Sequence, residues 1–388
     1  MIIELHLLQS FPASNLNRDD VGQPKSVTFG GVQRGRVSSQ CLKRSARLLL
    51  PQLGLALDNT GVRTKRLVER TARVLDGADP AGSAEPSDQS RTIAREGLRR
   101  LGFEVDTNDL SQYLFYVGQE AVNNFAAYCR THEDKLLAAA EERAQQAQMP
   151  SKSGSRTKKP KPDRETVDAG HRILDASHAV DIALFGRMVA NNTNFNVTAA
   201  SQVAHAFSTH AVATEFDYYT AVDDLRPDGE PGADMIGTVD FNAACYYRYA
   251  NLDLQQLRRN LTVEQENLVT TATRAWLEAF IRAVPSGKQN SMAAHTRPDA
   301  LLAVVREYGS WNLANAFLAP VTGTDLMADS TKRLAEHFRD LRQFYGDEGV
   351  RSVTVASVSN CNQLTAAGGE HVTSLAEFTE RVTTAAQD

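Results

Sequence analysis

The densest run of chemistry-bearing side chains lies between residues 15 and 47. Gln40, Lys43, Arg44 and Arg47 fall at i, i+3, i+4 and i+7, the spacing that puts side chains on one face of an α-helix. Leu42, Ala46 and Leu49 fall at i, i+4 and i+7 on the other side, where they face a core. Ser38 or Ser39 caps such a helix, and Pro51 ends it, because proline lacks the N–H and clashes with the preceding turn. A cationic stripe near a helix N-terminus suits an anion. A guanidinium offers a planar fork to phosphate oxygens, an ammonium offers a mobile point charge, and unpaired first-turn N–H groups add to both. Just ahead, Asn17, Arg18, Lys25, Arg34 and Arg36 surround the pair Gly30-Gly31, where missing side chains let a backbone approach a ligand closely. The pattern alone leaves two readings open, a phosphate-gripping surface and an ordinary solvated helix face. Gly287-Lys288-Gln289-Asn290 is a second glycine-led cationic turn, which on its own reads as a plain loop.

Other chemistries find less support. Neither GxxxxGK(S/T) nor GxGxxG occurs, which disfavours nucleoside triphosphate binding. His205 and His210 stand five apart, out of register for two metal ligands on a helix, and HExxH is absent. No GxSxG, and no cysteine with a nearby histidine, points to a covalent nucleophile. Cys41, Cys129, Cys245 and Cys361 are scattered without a CxxC pair, the usage of reduced thiols in a cytoplasmic protein rather than of a zinc knuckle. His6 lies in an expected strand, where a lone histidine is more often hydrogen-bonded structure than a general base. Asp19-Asp20 could hold a hard divalent cation, or simply turn the loop or pair with the neighbouring arginines. No cofactor is expected.

These residues need a sizeable scaffold. The 388 residues suffice for one large domain with insertions or for two to three smaller ones, and 42% apolar with 23% charged residues imply a packed core. No run of about 18 apolar residues occurs, and Met1-Ile2-Ile3-Glu4 lacks a basic-then-apolar leader, so no membrane span or secretory signal is expected. Residues 2–8 read as a strand with Ile3, Leu5 and Leu7 on one face, and 10–31 as a polar loop too long for a passive connection. Residues 60–145 read as mostly helical, with helical spacing over Leu110, Leu114, Val117, Ala121 and Phe125 and an exposed loop at 76–91. Residues 145–166, rich in Lys, Arg, Pro, Ser and Gly, predict a disordered basic insertion. Strands are expected at 178–189, 241–250, 301–305 and 352–358, and helices at 264–284 and 330–345. The fold class is α+β.

Charge is segregated. Residues 1–50 carry seven basic and three acidic side chains (7 − 3 = +4), whereas 215–240 carry eight acidic and one basic (1 − 8 = −7), although the whole chain is only −5. A basic surface and an acidic one let a chain bind a polyanion and also its own next copy.

The stretch LNRDDVGQPKSVTFGGVQRGRVSSQCLKRSAR (16–47) resembles the CasC-type backbone subunit of Cascade, the type I-E CRISPR surveillance complex. Further matches follow in order: AVDIALFGRM (179–188), HAFSTH (205–210), FDYYTAVDDL (216–225), YYRYANLDL (246–254) and PSGKQN (285–290). The resemblance covers most of the chain, with gaps in the helical block. It implies a right-hand architecture: an RRM-like palm (1–58, 177–211, 247–388), helical fingers (59–176) and a β-hairpin thumb (212–246). The aromatic signature with which RRM sheets stack bases is missing, so the sheet face is not expected to be a stacking platform.

The resemblance further implies a non-catalytic protein whose copies polymerise along a CRISPR RNA beside other Cascade subunits, while base pairing reads target DNA. Carried over by position, guide contacts fall on Asn17, Arg18, Lys25, Ser38, Ser39, Gln40, Lys43, Arg44, Arg47 and Lys288. Met188 matches an apolar wedge against a base, and Tyr219, Val222 and Ile236 match apolar thumb positions. A lysine cluster of some relatives has no counterpart at 317–327. The basic insertion (Lys152, Arg156, Lys158, Lys159, Lys161, Arg164) is expected to touch double-stranded DNA. The rival reading is a metal-dependent ribonuclease cutting guide-complementary RNA, since related type III backbone subunits use a loop aspartate that Asp19 or Asp20 would supply.

Overall fold

Strand β1 (Ile2–Ser14) runs through the middle of a large sheet and is buried on both faces, Glu4, His6 and Leu8 as fully as Ile3, Leu5 and Leu7. The strand expected at 2–8, with Ile3, Leu5 and Leu7 on one face, is found, and its other face is buried too. A strand covered on both sides reads as a nearly continuous apolar run. In this computed structural model, which describes residues 1–148, 164–189, 193–221, 235–261, 266–359, 362–365 and 368–387, the chain divides into two compact units. The first comprises Met1–Leu55, Ala200–Leu257 and Glu266–Asp388, and the second Ala56–Ala199 with Arg258–Gln265.

The first unit holds the sheet. Its order is β12 (Glu370–His371), β11 (Val350–Ser357), β10 (Ala300–Arg306), β1, β9 (Met235–Asp253), β7 (Ala206–Ser208), β3 (Val32–Val37) and β2 (Ser26–Phe29), with β6 (Ser201–Val203) and β8 (Glu215–Ala221) also paired to β9. β1 is antiparallel to both β10 and β9. On one face lie the first helix (Ser39–Leu49), the helix Glu266–Arg282 and the C-terminal helix Leu375–Gln387. The other face, with Leu8, Tyr247, Tyr249, Leu302 and Val304, is sealed by Leu313, Phe317, Leu334 and Phe338 from the turn Leu313–Phe317 and the helix Leu326–Tyr345. This face does carry aromatic rings, but they are core. Burial closes it as a stacking platform.

His6 belongs to that sealed face. Its Nδ1 lies 2.9 Å from the Tyr247 hydroxyl, which accepts from the Leu313 N–H at 3.0 Å. Burial, helped by the Arg306 charge, holds its pKa down to about 3, so the ring is neutral and out of reach of a substrate.

In the second unit, Leu67, Val68, Ile93, Leu98, Phe103, Phe115, Phe125 and Leu174 build the core. Two sequence expectations fail there. Residues 110–128 are not one helix: β5 (Phe115–Val117) pairs with β4 (Val62–Thr64), Leu114 is exposed, and the helix begins only at Ala121. Residues 178–189 are not a strand: Val180–Phe185 is a short helix whose residues Val180 to Leu184 are all buried. A short apolar run buried on all sides has no period with which to tell the two states apart. The insertion expected at 145–166 is helical at its margins, Glu133–Gln148 and Arg164–Ile173. Lys152, Lys158, Lys159 and Lys161 lie outside the described residues, as does Val222. Among the described residues no helix is long and apolar enough to cross a membrane.

Candidate nucleic-acid interface

Asn17 gathers the cationic residues. Its carbonyl accepts the Lys25 N–H at 2.9 Å, and its Oδ1 accepts the Ser38 N–H at 2.8 Å, so one side chain ties the loop to the start of the first helix. The Lys25 carbonyl in turn accepts the Arg36 N–H at 2.8 Å. Between them the loop closes on itself through the Arg18–Pro24 bridge and through Asp19, whose Oδ1 accepts from the Val21 and Gln23 N–H groups at 3.0 and 2.9 Å. Asp19 thus turns the loop, and among the described residues no group of three or more His, Cys, Asp or Glu could hold a metal ion. Asn15 Nδ2 donates to the Gly22 carbonyl at 3.0 Å and to the Asp240 carbonyl at 2.8 Å, fixing the loop to β9.

The first helix follows the sequence pattern closely. Ser38, not Ser39, is the cap, its Oγ accepting from the Cys41 N–H at 3.3 Å. Leu42 and Ala46 are buried, Leu49 partly so, while Gln40 and Arg44 are exposed and Lys43 and Arg47 half-buried. The helix terminus is less open to an anion than the sequence implies, because the chain occupies most of it: the Ser39 N–H points at His205 Nδ1 (3.4 Å) and the Cys41 N–H at Ser38. The cationic side chains of this face, rather than the helix terminus, are what remains open to an anion.

Lys288 joins them through a glycine. A Cβ on Gly287 would stand 2.4 Å from the Leu16 carbonyl oxygen, so only glycine lets this turn pack on the loop and present Lys288 beside it. That contact gives the weak GKQN signal its meaning.

Two expectations for this loop are corrected. Arg34 is not a ligand contact but a fully buried crosslink, donating to the carbonyls of Ser208 (3.0 Å) and Phe317 (2.9 Å). Gly30 and Gly31 form a two-residue hairpin turn between β2 and β3, with φ of 63° and 80°. The close approach at Gly30 is to the Leu318 carbonyl oxygen, which a Cβ would meet at 1.7 Å.

Sequence reasoning named Arg36 among the loop cations but missed His205 beside it. Arg36 Nη1 donates to His205 Nδ1 at 3.2 Å, and burial, then the Arg36 and Lys25 charges, lowers the His205 pKa. Only the HAFSTH match signalled it. His210, its partner in the metal-ligand test, is structural: Nε2 accepts the Cys245 N–H at 3.1 Å.

The cluster lacks counter-charge. Among the described residues Arg18, Lys25, Lys43, Arg44 and Lys288 make no ion pair, whereas Arg95 pairs with Asp109 at 2.6 Å and Arg306 with Glu4 at 2.8 Å. Burial lowers the Lys43 pKa and raises that of Cys41, the latter offset by the Lys25 and Arg44 charges. An uncompensated set of cations on a pinned loop and helix is the electrostatic footprint of a polyanion site.

The apolar candidates lie elsewhere. In the second unit, Arg187 donates to the carbonyls of Phe195 (2.9 Å) and Leu174 (2.8 Å), and the next residue, Met188, is 85% exposed on this fixed backbone. In the first unit, β8, exposed along its whole length, pairs with the outer part of β9. Tyr219, 48% exposed, stands opposite Gly237, whose Cβ would come within 2.3 Å of its ring. Ile236 pairs through its backbone with Thr220.

The search of curated proteins finds no match. Two solved chains align over their whole length. One, described as a "CRISPR RNA-guided surveillance complex, pre-nicking", is 31% identical with a TM-score of 0.82, covering 100% of each chain. The other, a "CRISPR RNA-guided surveillance complex", is 27% identical with a TM-score of 0.73, covering 99% of this chain and 100% of that one. The family model for CT1975-like protein matches residues 3–381. The chain belongs to the CT1975-like protein family, in keeping with the CasC-type resemblance its motifs carry.

Proposed function

We propose that this chain is a non-catalytic backbone subunit of a type I-E CRISPR surveillance complex, cytoplasmic, and that it grips the sugar-phosphate of a CRISPR RNA. The observation that carries the reading is the unpaired cluster of Arg18, Lys25, Lys43, Arg44 and Lys288, held together by Asn17 and Gly287. Counterion release from such a set favours any single strand over a neutral ligand. Gln40, Ser39 and Arg47 complete the contact surface, and Ser38 and Asn17 position it. The RRM-like palm is 1–58, 177–211 and 247–388; within it, in the first unit, β10, β1, β9 and β6 lie side by side, with the first helix and Glu266–Arg282 on one face. The fingers correspond to 59–176.

Successive copies stack head to tail on the guide beside other Cascade subunits, the segment 212–246 of each acting as a thumb that reaches its neighbour. Met188, Tyr219, Val222 and Ile236 wedge against displaced bases, and the basic insertion meets target DNA. The same protein surface then serves any guide, since base pairing does the reading.

Co-expression with a CRISPR RNA and the companion subunits tests this. The native chain yields guide-length assemblies by size exclusion and negative-stain imaging; Lys43→Ala with Arg47→Ala yields shorter or no assemblies. A chain that stays monomeric and indifferent to the transcript sinks the proposal. Magnesium-dependent cleavage of complementary RNA, abolished by Asp20→Asn, would replace it with the ribonuclease reading.

A further inference from the structure

His205 lies where β3, the first helix and β7 meet. Its backbone is fixed on both sides: the Ala204 N–H donates to the Tyr249 carbonyl at 3.0 Å, and Ala206 pairs with Val37 on β3. Its exposed ring meets two donors, Arg36 Nη1 at 3.2 Å and the Ser39 N–H at 3.4 Å, both on Nδ1. A guanidinium and a peptide nitrogen donate and do not accept, so Nδ1 is the bare nitrogen and Nε2 carries the proton. Arg36 is itself held, its Nε donating to the Ser26 carbonyl at 3.1 Å and its backbone N–H to the Lys25 carbonyl at 2.8 Å. Burial, then the Arg36 and Lys25 charges, keeps the ring neutral. Among the described residues Nε2 has no hydrogen-bond partner.

A neutral donor at the edge of a cationic surface does something the cations cannot. On the reading above, Lys25, Lys43 and Arg44 serve phosphate, and phosphate is common to RNA and DNA. What separates the two strands is the ribose 2′-hydroxyl, an uncharged group that both donates and accepts. A fixed N–H on a neutral ring suits that oxygen, because it supplies direction without adding to the attraction for phosphate. Its surroundings at the start of the helix are uncharged as well, since the Ser39 hydroxyl donates to Gln40 Oε1 at 3.4 Å.

We propose that His205 Nε2–H donates to a ribose 2′-hydroxyl oxygen of the strand held by the cluster, so that this ring makes the surface prefer RNA to DNA of the same sequence. The proposal rests on the RNA-binding reading and deepens it, assigning recognition of the sugar to a residue outside the cationic set. Arg36 and Ser39 act through the ring as positioning groups, since they set which nitrogen carries the proton.

The test uses the full-length protein and fluorescein-labelled single strands of one sequence, read by anisotropy: RNA, DNA, and an oligomer of 2′-fluoro sugars, which keep the pucker of RNA without its hydroxyl. The native chain is expected to bind RNA more tightly than either of the others. His205→Asn leaves an amide oxygen to accept from Arg36 and Ser39 and removes Nε2–H. Losing one neutral hydrogen bond should weaken RNA roughly fivefold and leave the DNA and 2′-fluoro strands unchanged. No loss on RNA overturns the proposal. An equal loss on all three probes overturns it as well, because the ring would then meet phosphate or merely support the cations. So does a native chain that binds the 2′-fluoro strand as tightly as RNA, since sugar shape and not the hydroxyl would be read. Lys43→Ala with Arg44→Ala weakens all three probes together whatever His205 does; if it moves none, the RNA-binding reading itself fails. Nitrogen-15 spectra of histidine-labelled protein check the tautomer directly, the His205 signals being those lost in His205→Asn. A proton on Nε2 supports the contact, and one on Nδ1 overturns it.

Discussion

Replacing Lys43 and Arg44 together by alanine removes two of the cluster's five cations, none of which makes an ion pair among the described residues. The substitution spares the fold, because Leu42 and Ala46 supply the buried face of the helix and alanine is the best helix former. Each neutralised phosphate on a single strand contributes about 0.7 to the slope of log affinity against log salt. Five cations predict a slope of about −3.5, and the remaining three about −2.1. From about 50 mM to about 200 mM salt the native chain then loses roughly 130-fold in affinity and the double variant roughly 20-fold. At about 0.1 M the variant binds roughly 25-fold more weakly, and the two curves converge towards 1 M. Anisotropy of a labelled single-stranded RNA across a salt series measures all three quantities. A double variant that keeps the native slope would refute the reasoning, since it would show that these ammonium and guanidinium groups displace no counterions.

Further expectations follow from the corrected roles of the loop residues. Gly30→Ala drives a Cβ into the Leu318 carbonyl at a positive φ and should cost at least about 2 kcal/mol in urea unfolding, whereas Gly31→Ala, with nothing within 4 Å, should cost only about 1 kcal/mol. Equal losses would show that the Gly30 contact is not formed. Ser38→Ala removes the helix cap and should lower stability by about 1 kcal/mol, visible as a lower Tm; an unchanged Tm argues that Asn17 alone holds this end. His6, with its pKa near 3 in the folded chain and near 6.5 unfolded, makes the unfolded state the greater proton binder between those values. Its contribution is fully present above about pH 6.5 and falls by about 1.4 kcal/mol per pH unit below it. Denaturant midpoints should therefore drop more steeply between pH 6.5 and 5 for the native chain than for His6→Gln, and parallel curves would disprove the burial argument.

The first helix was legible in the sequence because its pattern is local. One turn of spacing separates Lys43 from Arg47 and Leu42 from Ala46, and nothing distant changes which way they point. β1 was legible as a strand but not in its exposure, since whether His6 faces water depends on Leu313 and Phe338, some three hundred residues later. The same non-locality divides two arginines on one strand. Arg34 and Arg36 are two residues apart on β3 and equally basic. One is claimed by the carbonyls of Ser208 and Phe317, the other by His205 at the surface, and no feature of VQRGRV distinguishes them. The short helix at Val180–Phe185 was misread for a third reason: burial on every side erases the periodicity that names an element.

The placement of the cluster follows from what holds it. Flexible lysines and arginines lose side-chain entropy when they grip a ligand, and the loss is smaller where the backbone beneath them is already fixed. Here the backbone is fixed from three directions: Asn17 binds Lys25 and Ser38, Asn15 binds the loop to β9, and Gly287 seats its turn against Leu16. None of these three contributes charge. They fix the backbone beneath cations from separate stretches of the chain, and a strand with regular phosphates rewards fixed positions as much as charge. Asn17→Ala should accordingly weaken RNA binding although it removes no cation, and should leave the salt slope at its native value. A lowered slope on Asn17→Ala would mean that the asparagine itself neutralises a phosphate's counterion site, and the distinction between holding and gripping drawn for this loop would fall.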